Sequence, residues 1–247
     1  GGTWRALFKL HLFQNNHPVH IIHQYSIDNN VLSKFVEKIS SFNKSKLKTV
    51  EYISKSRTPY LPYSCIILDE IMRVTNPRNI ICSISGLREG SLSIDYFKDV
   101  KESEIFHKAL ENVAKKRGDL GSNYKKYYDF IQPVFEGNEH FNKKLLYLAC
   151  VLSHMDWGLG AFQKAELVFQ ETINTPLLRL THKERIQLAL SCYWRYCSIK
   201  YNPKMEYLTF LNNNEIFSSK QVGAALRFSQ SLTSISTIFL EEFKLYK

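Results

Sequence analysis

The sequence predicts an α/β segment over residues 1–95 followed by an all-α domain over residues 96–247. Three observations carry this. A β-branched run, Asn79-Ile80-Ile81-Cys82-Ser83-Ile84-Ser85, stands between helical patterns and is ended by Gly86. Strand-like runs then disappear beyond Asp95, where amphipathic helical patterns follow one another. With 247 residues and 44% apolar side chains, the chain has length for one large domain or two small ones, each with a core. This composition excludes a collagen-like rod, a coiled coil and a disordered tail.

Taken in order, Trp4, Leu7, Phe8, Leu10 and Leu12 predict a short helix over Thr3 to Phe13, opening directly behind a Gly1-Gly2-Thr3 turn. The run from His17 to His23 is short and β-branched and reads as loop and extended chain, with His17, His20 and His23 incidental. Asp28-Asn29-Asn30 offers an N-cap to a helix carrying Val31, Phe35, Val36 and Ile39 up to Phe42. A second short helix is predicted over Lys46 to Ser54. Another follows Pro59-Tyr60-Leu61-Pro62 and carries Ile66, Ile67, Leu68, Ile71 and Met72. The run from Asn79 to Ser85 then reads as a buried strand, and Gly86-Leu87-Arg88-Glu89-Gly90 as a glycine-bounded charged turn. A domain boundary is placed near Ser93 to Asp99. Helices are predicted over about 101–117, 123–136, 139–154, 161–173 and 181–198, with two or three more towards the end. The final stretch closes on Phe243-Lys244-Leu245-Tyr246 without a stop signal, so the fold is expected to continue.

The net charge is +10, with 12 basic and 7 acidic residues up to Asp95 and 21 and 16 beyond it. Such a surplus raises encounter rates with polyanions without choosing among them. Clusters at Lys44/Lys46/Lys48, Lys115-Lys116-Arg117, Lys125-Lys126 and Lys143-Lys144 read singly as solvated helix faces. No run approaches the roughly 18 to 20 apolar residues of a membrane span. The five cysteines are odd in number and lie in apolar segments, so a reducing cytoplasm is the expected setting.

Candidate functional residues are few. Gly1-Gly2-Thr3 ahead of a helix can present N–H groups and the helix dipole to an anion, or be an ordinary turn. Arg57 at a loop-to-helix junction can reach a phosphate or merely cover a surface. Arg88 and Glu89 between two glycines read foremost as a structural salt bridge at a domain hinge. His140, His154, Asp156 and His182 fail the spacing of a divalent-metal site, since no adjacent His-Asp pair exists and His154 and Asp156 diverge on a helix. Asp69-Glu70 likewise diverge, and no G-x-S-x-G, C-x-x-C or P-loop motif occurs.

Several segments, in order, resemble the Ppx/GppA family of exopolyphosphatases and guanosine pentaphosphate phosphatases, in particular its alphaproteobacterial members. They are Gly1-Gly2-Thr3-Trp4-Arg5-Ala6-Leu7, Ser54-Lys55-Ser56-Arg57 leading to Leu61-Pro62-Tyr63, and Ser85-Gly86-Leu87-Arg88-Glu89-Gly90-Ser91-Leu92. Ala149-Cys150-Val151-Leu152-Ser153, and Thr181-His182-Lys183-Glu184-Arg185 through Tyr193-Trp194-Arg195-Tyr196, look like the family's helical domain.

The resemblance implies a partial actin-like second lobe over 1–95 and an HD-like α-helical domain over 96–247, truncated at its C-terminus. It implies removal of terminal phosphate from inorganic polyphosphate or guanosine pentaphosphate, with Gly1, Gly2, Thr3 and Arg57 binding substrate. Arg88 and Glu89 then take a hinge role. Mg²⁺ and the catalytic carboxylates are implied to belong mainly to an N-terminal lobe, with its D-x-G-[ST]-N and D-[IL]-G-G-G-[ST] loops, expected to lie outside this chain. That lobe as a separate chain and a homodimer are the implied partners, with no membrane. The rival expectation is a non-catalytic remnant or scaffold that holds polyanions or dimerises; a plain nucleic-acid binder ranks below it, because the aromatics sit at helical core spacing.

Overall fold

The computed structural model describes residues 1–96, 102–116, 123–137, 141–154, 158–175, 180–201, 203, 205–233, 239–243 and 245. The described chain is mostly helical with one two-stranded sheet. It divides into two compact units, one of Gly1–Tyr96 with Pro176–His182, the other of Phe97–Thr175 with Lys183–Lys247.

In the first unit, α1 (Gly2–Gln14) places Leu7, Phe8, Leu10 and Leu12 inside. Strand β1 (Ser26–Asp28) runs into α2 (Asn29–Ser40), where the Asp28 carboxylate accepts from the Asn30 N–H at 2.9 Å and the Val31 N–H at 3.4 Å. That satisfies two of the N–H groups a helix start leaves open. Leu32, Val36 and Ile39 recur at i, i+4 and i+7 and are buried together. Helix α3 (Lys44–Lys48) is shorter than the expected 46–54 segment, and its lysines are exposed.

A 3₁₀ turn at Thr58–Tyr60 leads into α4 (Leu61–Thr75), which has Pro62 in its first turn and ends on Asn76 in the left-handed region. Leu61, Cys65, Leu68 and Met72 complete the core against α1 and α2.

Strand β2 (Asn79–Ile81) pairs antiparallel with β1, Ile27 opposite Ile80. The expected buried strand over 79–85 is corrected: the strand is shorter and only half-buried, with Ile81 exposed, although the buried Cys82 continues the pairing through its N–H to the Tyr25 carbonyl at 2.9 Å and its carbonyl, which accepts from the Gln24 N–H at 2.8 Å. The two-stranded ribbon has one face against α2, and no described element covers the other. The charged turn at Gly86–Gly90 is corrected as well. It is the start of α5 (Leu87–Tyr96), with the Gly86 carbonyl accepting the first helical bond from the Gly90 N–H at 3.0 Å.

His17 and His23 are also more than incidental. His23 is buried and its Nδ1 accepts from the Ile84 N–H at 3.3 Å, while His17 meets the Tyr25 ring edge-on.

The core holds a further imidazole, His11, whose Nδ1 lies 2.9 Å from the Tyr25 hydroxyl and whose ring meets Phe35 edge-on. Burial lowers its pKa below the ordinary 6.5. In the unfolded chain His11 therefore takes up a proton first as pH falls, so stability is full above about pH 6.5 and declines as pH drops towards the folded value. Urea unfolding of the first unit should show lower stability at pH 5.5 than at pH 7.5, and His11→Gln should shrink that difference. An unchanged difference in the variant would assign the effect to other groups.

The second unit contains α6 (Glu102–Lys116), α7 (Asn123–Ile131), α8 (Lys143–Leu152), α9 (Ala161–Asn174), α10 (His182–Tyr196, whose first residue groups with the first unit), α11 (Met205–Leu208), α12 (Asn213–Leu232) and α13 (Phe239–Glu242). These follow the expected succession of helices closely. Asn142 caps α8, and Asn212 with Glu215 forms a capping box on α12. Two arginines are buried among the apolar side chains. Arg195 donates to the Ser153 hydroxyl at 2.6 Å and to the Gln230 side-chain oxygen at 3.1 Å, and stands over the Tyr127 and Tyr196 rings. Arg185 donates to the Ile173 and Thr175 carbonyls, and burial pushes its pKa down to about 10. Among the described residues no helix is long and apolar enough to cross a membrane.

Candidate functional site

Helix α1 starts at Gly2, so Gly2 and Thr3, expected as a turn ahead of the helix, form its first turn. Gly1 is its N-cap and has no side chain to offer, no acidic residue lies in the first turn, and the first helical bond runs from the Arg5 N–H to the Gly1 carbonyl. The N–H groups of Gly2, Thr3 and Trp4 precede that bond, so none has an intrahelical acceptor, and the dipole adds partial positive charge there.

Arg57 is brought to this end of the helix. Its Nη1 donates to the Gly2 carbonyl at 3.4 Å, and a Cβ at Gly2 would lie 3.3 Å from the guanidinium carbon. The absence of a side chain at Gly2 is what leaves Arg57 room. Its backbone is held by the turn before the 3₁₀ helix: the Arg57 N–H bonds the Ser54 carbonyl at 2.9 Å, and the Thr58 hydroxyl donates to the same carbonyl at 3.2 Å. Four expected binding residues, Gly1, Gly2, Thr3 and Arg57, thus share one end of α1 although 55 positions separate Gly2 from Arg57.

Sequence reasoning did not single out Arg5. Its Nε donates to the Ser83 carbonyl at 3.1 Å, and its Nη2 lies 3.0 Å from where a Gly86 Cβ would be. The Glu89 carboxylate accepts from the Gly86 N–H at 2.6 Å, the reach-back of an N3 glutamate to its N-cap. That bond, the N–H of Glu89 itself and the charges of Arg5 and Arg88 hold the carboxyl below the usual range. Glu89 is a helix cap rather than half of a salt bridge with Arg88, which is exposed. The signal that could have found Arg5 is its place one turn into α1, on the face of Gly1 and Gly2.

Residues 1–96 match the Ppx/GppA phosphatase family. The match ends where α5 and the continuous part of the first unit end. No curated protein matches the chain. The matched segment holds the α1 end, Arg5, Arg57, Arg88 and Glu89. The string Asp119-Leu120-Gly121-Ser122-Asn123, outside the Ppx/GppA segment, reads as D-x-G-[ST]-N, so the expectation that this pattern is absent is corrected. It connects α6 to α7, and all of it but Asn123 lies outside the described residues.

Mg²⁺, which the family resemblance implies, finds no ligand set here: among the described residues no group of three or more His, Cys, Asp or Glu side chains could hold a metal ion. Of the histidine candidates, His140 lies outside the described residues, as does Asp156. The basic clusters divide. Lys125 and Lys126 are paired with Glu111 at 3.3 Å and Glu241 at 2.8 Å, whereas Arg57 has no carboxylate partner among the described residues.

Proposed function

We propose that the first unit is the phosphate-gripping part of a Ppx/GppA-type phosphohydrolase that removes terminal phosphate from inorganic polyphosphate or guanosine pentaphosphate. The observation that carries this is the Arg57 guanidinium resting against Gly2 at the open end of α1, within a segment that matches a phosphatase family. Backbone N–H groups and a guanidinium are the donors that phosphate oxygens accept from, and together they bind and orient without transferring a proton. In this reading residues 1–95 belong to an actin-like lobe and residues 96–247 form an HD-like helical domain in the cytoplasm. The carboxylate that activates water comes from a separate lobe, and Mg²⁺ is not assigned to the side chains described here.

A second reading, a non-catalytic scaffold that holds polyanions or dimerises, is supported by α4. Tyr63, Ile67 and Val74 are exposed on the side opposite Cys65, Leu68 and Met72, with Tyr63 68% and Val74 72% accessible. A second copy or a separate lobe would cover that face.

Phosphate release from long-chain polyphosphate with Mg²⁺ tests the two. The 247-residue chain is assayed alone and mixed with a separately prepared Ppx/GppA lobe carrying both glycine-rich loops. The enzyme reading expects polyphosphate binding that weakens steeply with salt, and turnover only on mixing. Binding indifferent to salt would overturn the grip, and salt-sensitive binding without turnover in either arm would leave the scaffold.

A further inference from the structure

We propose that the groove between the carboxyl end of α10 and α12 binds a small amphipathic anion, one with an aliphatic or aromatic body and a single carboxylate or phosphate head. It lies wholly in the second unit, outside the residues that match the phosphatase family, and does not rest on the reading above.

The groove is a shallow depression, largely open to solvent, that offers about 360 Å³. Its exposed walls are mainly apolar: Ile199 on the turn after α10, and Ala224 and Phe228 one turn apart on α12, with the buried Trp194 behind them. Ile199 and Phe228 are each about half exposed, at 48% and 49%, so apolar surface is left in water where a ligand body would cover it.

The charged side chain that lines the groove is a cation. Arg227 lines it beside Phe228 and has no carboxylate partner among the described residues. Lys220, about two turns before Arg227 on α12, stands with Nζ 5.3 Å from the Trp194 ring centroid and adds positive potential. Burial raises the pKa of the Cys197 thiol and Glu166 of α9 lies near enough to add to this, but Glu166 forms no ion pair with Arg227 among the described residues. An apolar trough with an unpaired guanidinium at its rim selects a ligand whose tail is greasy and whose head is anionic, and disfavours the same tail with a cationic head.

Decanoate is the anionic probe, decyl phosphate a second head group and decyltrimethylammonium the cationic counterpart, each below its micelle concentration. Binding is followed by calorimetry. Decanoate and decyl phosphate should bind at least tenfold more tightly than the cation. Arg227→Gln should remove that preference while leaving the cation's affinity within twofold. Ala224→Trp, at an exposed position that accepts bulk, should fill the trough and weaken all three about tenfold. Equal affinity for anion and cation would overturn the proposal, as would a preference that survives Arg227→Gln or binding untouched by Ala224→Trp.

Discussion

Arg57→Glu is expected to lower the affinity of the chain for long-chain polyphosphate by about 100-fold at low salt and to flatten its salt dependence. A guanidinium–phosphate contact contributes roughly 1.5–3 kcal/mol, and reversing the charge adds repulsion at the same spot, which together amount to about two decades. The chain has many other cations, and this is what makes the position informative. Lys44→Glu, on exposed α3, removes the same charge from the whole molecule and should cost only about twofold to threefold through the long-range field. Stability should hardly change in either variant, because Arg57 offers only a 3.4 Å bond to the Gly2 carbonyl at an exposed site. Equal losses from the two variants would mean that polyphosphate is held by net charge alone and that the α1 end is not its site.

The second large effect is a contrast of sign between two helical glycines. Gly223→Ala is expected to destabilise the second unit by about 2 kcal/mol, although helix propensity by itself favours alanine by about 1 kcal/mol. A Cβ at Gly223 would come within 2.5 Å of the Trp194 Cβ and 2.9 Å of the Ser191 carbonyl, so α12 would have to withdraw from the α10 backbone. Trp194 cannot give way readily: it is fully buried and its Nε1–H donates to the Tyr201 carbonyl at 2.9 Å. Gly90 in α5 meets nothing within 4 Å of its would-be Cβ, so Gly90→Ala should stabilise the first unit by up to about 1 kcal/mol. Urea unfolding of both variants against the parent chain decides it. A stabilised Gly223→Ala would show that the two helices are less tightly seated than this contact requires.

Most helices were legible because their signals are local. Asp28 ahead of Val31, Phe35, Val36 and Ile39 specified α2, and the apolar spacing beyond Asp95 specified α6 to α10 within a few residues at each end. The strand over 79–85 was read too long and too buried, and 86–90 was read as a turn rather than a helix start, for a common reason. A short β-branched run carries no information on whether a partner sheet will bury it, and a Gly-x-x-Glu start is a helix cap only if the glutamate reaches back to the glycine N–H, as Glu89 does.

By itself the sequence determined the helical registers, the free and buried cysteines, the positive surplus and the uncapped Gly-Gly-Thr start of α1. Only the tertiary structure decided that Arg57 stands at that start, that Arg5 and not Arg88 binds the Ser83 carbonyl beside Gly86, and that Gly223 touches Trp194 while Gly90 touches nothing. Periodicity constrains residues three or four apart. Contacts across 55 or 78 positions depend on how α1, α4 and the β2 segment pack around one core, which no local spacing encodes.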